Sequence, residues 1–318
     1  MVGELKVIVS AGDPGGIGPE LTVRSIAQLS PHGLAQFVVA GDPAQLERIA
    51  RDLELPAPTV VAAVDASAVP AGRPSPEGGA AAVAAVRRAV EMVTRREADA
   101  LVTGPISKAA LQLAGYSWQG QTEMLADLIG ATDLRVMLVA RVLRVVHVSA
   151  HCSLRQALDA VTPERVLRTV RLADDIGRRM LGRAPRIAVA GLNPHAGEGG
   201  IFGSEEEELI GPAVATARDA GIDVIGPVSA DSLFPQAAKG FVDLVVAMYH
   251  DQGHIPVKLL APEGAVAITL GLPFVRTSPD HGAAFDMVGT GRATWSSMTS
   301  ALRLAAEIAA RDTGRVTV

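Results

Sequence analysis

Three of the seven histidines stand where a divalent cation could be held. His151 lies in HVSAHCSLRQAL, His195 in GLNPHAGEGGIFG and His250 in VVAMYHDQGHIPVKLL. Each follows a short apolar run (144–149, 186–192 and 243–249) whose β-branched composition reads as a buried strand. Imidazoles at the carboxyl ends of neighbouring strands can converge on one cation and leave positions open for a substrate. Asp231 in SADSLFP and Asp251 beside His250 are the candidate proton acceptors. Alcohol oxidation needs such a group, and a cation on the oxygen eases loss of the hydroxyl proton. Helix capping is the competing role for Asp231. His147 reads as a packed or supporting residue and His32 as surface. His254 follows His250 by four residues, but Gly253 and Pro256 argue against a helical pair, leaving it a supporting or substrate role. The run 205–208 reads as the solvated first turn of a helix.

Two strand-to-helix loops could approach an anion. Residues 12–20 read GDPGGIGPE, where glycines permit a tight turn and a helix N-terminus follows. The spacing is not G-x-G-x-x-G, so a Rossmann fingerprint is absent. Residues 103–108 read TGPISK. The chain has only four lysines, and two of them, Lys108 and Lys258, fall in motif loops, where an ammonium suits carboxylate or phosphate. Late in the chain, DHGAAFDMVGTG (280–291) offers small side chains against which a planar ligand could lie.

The elements that must position these residues are short. Strand-like runs cover 5–10, 37–40, 100–103, 136–140, 145–149, 187–191, 244–248 and 266–270. Helical stretches cover 79–96, 163–181, 204–220 and 295–311. The alternation predicts an α/β architecture with a parallel or mixed sheet. A length of 318 residues with 48% hydrophobic residues suggests two domains. Net charge of −5 and 3% aromatic residues give no footing for nucleic acid or an anionic membrane. A single cysteine, Cys152, and no leader-like or membrane-length apolar run predict a cytoplasmic protein.

Taken together, GDPGGIGPE, TGPISKAAL, GQTEMLA, GLNPHAGEGGIFG, ADSLF, MYHDQGHIP and ITLGLPFVRTSPDHGAAFD resemble the 4-hydroxythreonine-4-phosphate dehydrogenase family. The resemblance runs over nearly the whole chain. It implies a two-domain α/β/α fold like that of isocitrate and isopropylmalate dehydrogenases, with coenzyme bound outside a Rossmann motif. Residues 1–134 and 265–318 would form the larger, coenzyme-binding domain. Residues 135–264 would form the metal, substrate and dimerisation domain, with a cleft between the two. His151, His195 and His250 would hold one divalent metal: zinc, or alternatively manganese, cobalt, nickel or magnesium. Asp251, Asp231 and Lys258 would be catalytic, and Gln121, Thr122, Lys258 and Arg276 would bind substrate. Gly12, Asp13, Gly15, His281, Gly282 and Asp286 would contact NAD or NADP. A homodimer, with the site at the subunit interface, is also implied.

The activity implied is oxidation of a phosphorylated 3-hydroxy acid followed by decarboxylation. Two departures bear on the substrate: Gln121 stands where the biosynthetic family has histidine, and Ala267 where it has asparagine. Each change removes a polar contact worth roughly 1–3 kcal/mol. The motifs also resemble branches acting on threonate or erythronate 4-phosphate and on terephthalate cis-dihydrodiol. An inactive metal-binding or sensory relative is the alternative from another class, and it would be expected to lack the histidines present here.

Overall fold

The structure is a computed structural model and describes residues 4–315. The chain begins with β1 (Lys6–Ser10), α1 (Gly18–Leu29), β2 (Gln36–Gly41), α2 (Pro43–Asp52), β3 (Thr59–Ala62), α3 (Pro76–Thr94), β4 (Ala100–Thr103), α4 (Lys108–Leu113) and α5 (Gln121–Ile129). It continues with β5 (Arg135–Ala140), β6 (Leu143–His147), α6 (Leu154–Asp159), α7 (Pro163–Leu181), β7 (Ile187–Ala190), α8 (Gly211–Asp219) and β8 (Val224–Val228). It closes with α9 (Ala230–Ala238), β9 (Leu244–Ala247), α10 (His250–Leu260), β10 (Val266–Leu270), β11 (Val275–Pro279) and α11 (Ser296–Asp312). Two compact units result, Met1–Leu134 with Leu272–Val318, and Arg135–Gly271.

In the first unit the strands run in the order β3-β2-β1-β4-β11, and every pair is parallel. Parallel strands covered on both faces must be apolar throughout, and β1 and β4 are buried almost residue for residue. The helices carry local start signals. Ser75 caps α3 through Gly78 N–H with Pro76 in its first turn, and the helix lays an alanine–valine face (Ala82, Val83, Val86, Ala89, Val90) into the core. In strand order, β1 and β4 flank the point where the winding reverses, the usual place for a ligand in a doubly wound sheet.

The second unit is mixed, in the order β10-β5-β6-β9-β7-β8. β10–β5 and β5–β6 are antiparallel, whereas β6–β9, β9–β7 and β7–β8 are parallel. Its core joins Leu138, Val145, Ala188, Val245 and Val257. The division differs from the expected boundary at one place. Residues 265–271 were assigned with the first unit, but β10 pairs antiparallel with β5 from Val266↔Val139 to Leu270↔Arg135, and the break falls at Leu272. No helix among the described residues is long and apolar enough to cross a membrane.

Candidate active site

β6, β9 and β7 are neighbouring parallel strands, so their carboxyl ends share one edge. His151, His250 and His195 lie four, three and five residues beyond those ends. His151 and His250 come together with ring centroids 5.9 Å apart. Both line a pocket of about 520 Å³ with Ala150, Cys152, Leu154, Ala157, Tyr249 and Asp251. His250 Nδ1 lies 2.7 Å from Asp251 Oδ1, and His195 Nδ1 lies 2.8 Å from Glu198 Oε2. A carboxylate accepts, so each Nδ1 donates, and in the neutral ring Nε2 then carries the lone pair, the arrangement that prepares histidine for a metal. Asp251 therefore orients His250. Sequence reasoning passed over Glu198, whose place three residues after His195 was the available signal.

Imidazole nitrogens with carboxylate partners are a donor set that fits a borderline divalent cation. The side chains do not already form a closed cage: among the described residues no three His, Cys, Asp or Glu groups are clustered for a metal. His195 instead meets the Phe202 ring edge-on at 5.9 Å. Asp231, in the first turn of α9, accepts from Ser229 Oγ at 2.6 Å. That hydrogen bond, with a smaller contribution from His195, holds its carboxyl below the usual range. α9 packs against the turn Pro194–Gly197 that carries His195.

The loop that carries His195 is held from below by a glutamate. Glu206 Oε1 accepts from Leu192 and Asn193 N–H, each at 2.7 Å, and Oε2 accepts from Asn193 Nδ2 at 3.0 Å. Glu205 takes the second Asn193 amide hydrogen at 2.7 Å. Burial works to raise the Glu206 pKa, but these hydrogen bonds outweigh it and leave the carboxyl below its ordinary value. The solvated helical turn expected over 205–208 holds for the exposed Glu207 and Glu208 but not for Glu206, which is 3% exposed and begins a π-helical turn, Glu206–Ile210. The clamp has a strained segment to hold, because His195, Ala196 and Glu198 have φ of 54°, 53° and 42°.

α10 overturns a second expectation. His250 and His254 are an i,i+4 pair on one helix, stacked at 3.6 Å with 12° between planes, despite Gly253 and Pro256. Gly253 serves a close approach here: a Cβ on it would collide with Nε2 of His147, which is 1% exposed on β6. Lys258, exposed in the last turn, extends the His250–His254 face by a further four residues.

In the first unit Arg276, on β11 and 4% exposed, donates through Nε to Thr103 Oγ1 at 3.1 Å and through Nη2 to Gln121 Oε1 at 2.6 Å. Gln121 Nε2 donates in turn to the Gly104 carbonyl at 2.9 Å. Burial pushes the guanidinium down to about 9, still charged at neutral pH. The structure thus joins two residues that sequence assigned to substrate, with Thr122 beside them in the first turn of α5.

The loops assigned to coenzyme also meet, through Ile17 N–H donating to the Ala283 carbonyl. Gly12, at φ 84°, and Gly15 do not open onto free space, because the Pro105 and Pro70 carbonyls occupy the positions a Cβ would take. A Cβ on Gly282 would meet nothing within 4 Å, and His281 and Asp286 are exposed. Asp13 is 1% exposed, and burial raises its pKa against the lowering effect of Gly15 N–H. Its Oδ2 and the Ser10 hydroxyl are buried without a hydrogen bond, polar atoms that a ligand hydroxyl or amide would satisfy. These residues fit a coenzyme's polar groups without forming a pyrophosphate cradle.

Comparison with known proteins places this geometry. The family model described as pyridoxal phosphate biosynthetic protein PdxA matches residues 22–305. A D-threonate 4-phosphate dehydrogenase from Salmonella typhimurium is 43% identical over 323 residues, covering 95% of this chain and 98% of the relative. A 4-hydroxythreonine-4-phosphate dehydrogenase from Geobacter metallireducens is 43% identical over 324 residues, covering 96% and 95%. The crystal structure of a 4-hydroxythreonine-4-phosphate dehydrogenase from Klebsiella pneumoniae superposes with a TM-score of 0.84 at 41% identity, covering 96% of this chain and 100% of that one. The chain belongs to the PdxA family and, like these dehydrogenases, is an oxidoreductase acting on a CH–OH group.

Proposed function

We propose that this enzyme oxidises and decarboxylates a phosphorylated 3-hydroxy acid, of the threonate or erythronate 4-phosphate or 4-hydroxythreonine 4-phosphate kind, using NAD or NADP and one divalent metal. The carrying observation is the edge shared by His151, His250 and His195, with two of the three imidazoles tautomerically prepared by carboxylates. The metal would be held by those three histidines and would supply positive charge where the alcohol loses its proton and where the β-keto acid loses carbon dioxide. NAD or NADP would supply the hydride acceptor when bound. Asp231, held ionised by Ser229 on a helix packed against the His195 turn, is placed to take the hydroxyl proton. Asp251 is engaged with His250 and keeps its tautomer. Arg276, fixed by Thr103 and Gln121, supplies the charge for the phosphate, and Lys258 a second ammonium for the carboxylate. Gln121 spends both ends of its amide on Arg276 and Gly104, so it orients the arginine.

We further propose a homodimer formed through the second unit, whose exposed apolar side chains supply the contact. The test of the reaction is reduced-coenzyme formation by zinc- or manganese-loaded protein. The substrates, compared side by side, are threonate 4-phosphate, erythronate 4-phosphate, 4-hydroxythreonine 4-phosphate and terephthalate cis-dihydrodiol. Turnover on a phosphate ester, lost on chelation and restored by metal, is expected. Turnover on the dihydrodiol alone would overturn the phosphate assignment, and turnover unaffected by chelation would overturn the metal.

A further inference from the structure

Next to the proposed metal site lies a histidine pair to which the reaction above gives no task. His147 Nδ1 is 3.2 Å from the Val136 carbonyl oxygen, and its Nε2 is 3.1 Å from His254 Nδ1. His254 Nδ1 is also 3.1 Å from the His250 carbonyl oxygen. Carbonyls only accept, so Val136 requires a proton on His147 Nδ1 and His250 requires one on His254 Nδ1. The contact between the two rings then has one consistent assignment: His254 donates and His147 Nε2 accepts. A proton on His147 Nε2 would set two N–H groups against each other in the interior. Burial, reinforced by the facing His254, agrees with this, since it pushes His147 down to about 3. The approach is built into the backbone, because any side chain at position 253 would strike the His147 ring.

The locked ring is the one stacked on His250, 3.6 Å away and 12° from parallel. We propose that His147 and His254 are positioning residues: His147 fixes His254 in its Nδ1–H tautomer, and the fixed ring braces the face of His250. Asp251 meanwhile holds the His250 edge at Nδ1. Held on a face and an edge, the His250 imidazole keeps Nε2 as its ligating nitrogen. The inference rests on His250 being a metal ligand, as proposed above. Outer partners of this kind typically change metal affinity 10–100-fold when removed.

The test begins with metal-free wild-type protein carrying ¹⁵N-labelled imidazoles, so it does not depend on a buried variant folding. Two-bond ¹H–¹⁵N spectra at pH 7.5 are expected to show both His147 and His254 protonated on Nδ1 and bare on Nε2, with the His254 signals assigned by His254→Asn and those of His147 by their through-space contacts to the His254 ring in the wild type. An Nε2–H tautomer for either ring overturns the proposal. Zinc titration of wild type, His254→Asn and His250→Ala follows, with circular dichroism confirming the fold. Affinity reduced about 10–100-fold in His254→Asn and abolished in His250→Ala is expected. Affinity lost in His250→Ala yet intact in His254→Asn sinks this inference alone, whereas affinity intact in His250→Ala sinks the metal assignment beneath it.

Discussion

His147 stays neutral in the fold while the unfolded chain takes up a proton on it near pH 6.5, and that difference is a stability statement. Above the unfolded value neither state is protonated and the group contributes nothing unfavourable. As pH falls below it, only the unfolded state binds the proton, so about 1.4 kcal/mol is lost per pH unit until the folded value near 3 is reached. The groups facing the ring are Val136 O, His254 and, at longer range, His250 and His151. Urea unfolding of metal-free wild type and His147→Asn should therefore differ by about 2 kcal/mol less at pH 5 than at pH 7. A pH-independent difference would mean that His147 is protonated in the fold. Glu206 poses a different residue-scale question. Glu206→Gln puts an amide hydrogen against Asn193 Nδ2, and the clamp under the His195 loop should lose roughly 1–3 kcal/mol. Limited proteolysis across Gly199–Gly200 should accelerate and zinc affinity should fall; unchanged cleavage and affinity would show that the loop holds its left-handed backbone without the clamp.

Across elements, the end of the strands opposite the histidines is tied by Asp243. It precedes β9 and accepts from Arg183 Nη1 and Nη2 and from the Arg186 backbone N–H, joining the start of β7 to β9. The Arg183 hydrogen bonds hold its carboxyl far below the ordinary range, so its stabilisation is present at neutral pH and is lost as pH falls from about 4. Because both arginines are half exposed, Asp243→Asn should cost only about 1–2 kcal/mol, read as a Tm lower by a few degrees at pH 7 and converging with wild type in acid. What was legible in the sequence follows the same physics. Long β-branched runs identified β1, β6, β7 and β9, because buried parallel strands tolerate little else, and their ends located the three histidines. β8 (VIGPV) and β11 (VRTSP) escaped because proline and polar residues interrupt them, and β11 is the strand that carries Arg276. α10 escaped because Gly253 and Pro256 read as breakers, while the reason for Gly253, a ring four residues past the start of another strand, is tertiary. Glu206 was hidden among four glutamates, where composition alone signals solvent.

At the scale of the molecule, the exposed large apolar side chains are unevenly shared. Among the described residues all but Leu113 and Trp295 belong to Arg135–Gly271, including Val142, Leu154, Phe241, Ile255 and Leu259. Isolated exposed leucines are ordinary, but Ile255 and Leu259, at 55% and 79% exposure, lie four residues apart on α10 and form one stripe beside Leu260. The neighbouring stripe of that helix is His250, His254 and Lys258. A second copy seated on Ile255 and Leu259 would bury apolar area at about 25 cal/mol per Å² and would fix the helix that presents His250, His254 and Lys258. Dimerisation and activity should therefore fail together. Sedimentation of the wild type at micromolar concentration is expected to give twice the chain mass of 32.8 kDa, and Ile255→Glu combined with Leu259→Glu is expected to give the single chain mass with an unchanged far-UV spectrum. The monomer should also turn over at least tenfold more slowly, because a mobile α10 cannot keep His250 and Lys258 in place. A wild type that sediments as one chain would remove the dimer. A monomeric double variant with full turnover would leave the dimer standing and show that α10 needs no partner to hold its histidines.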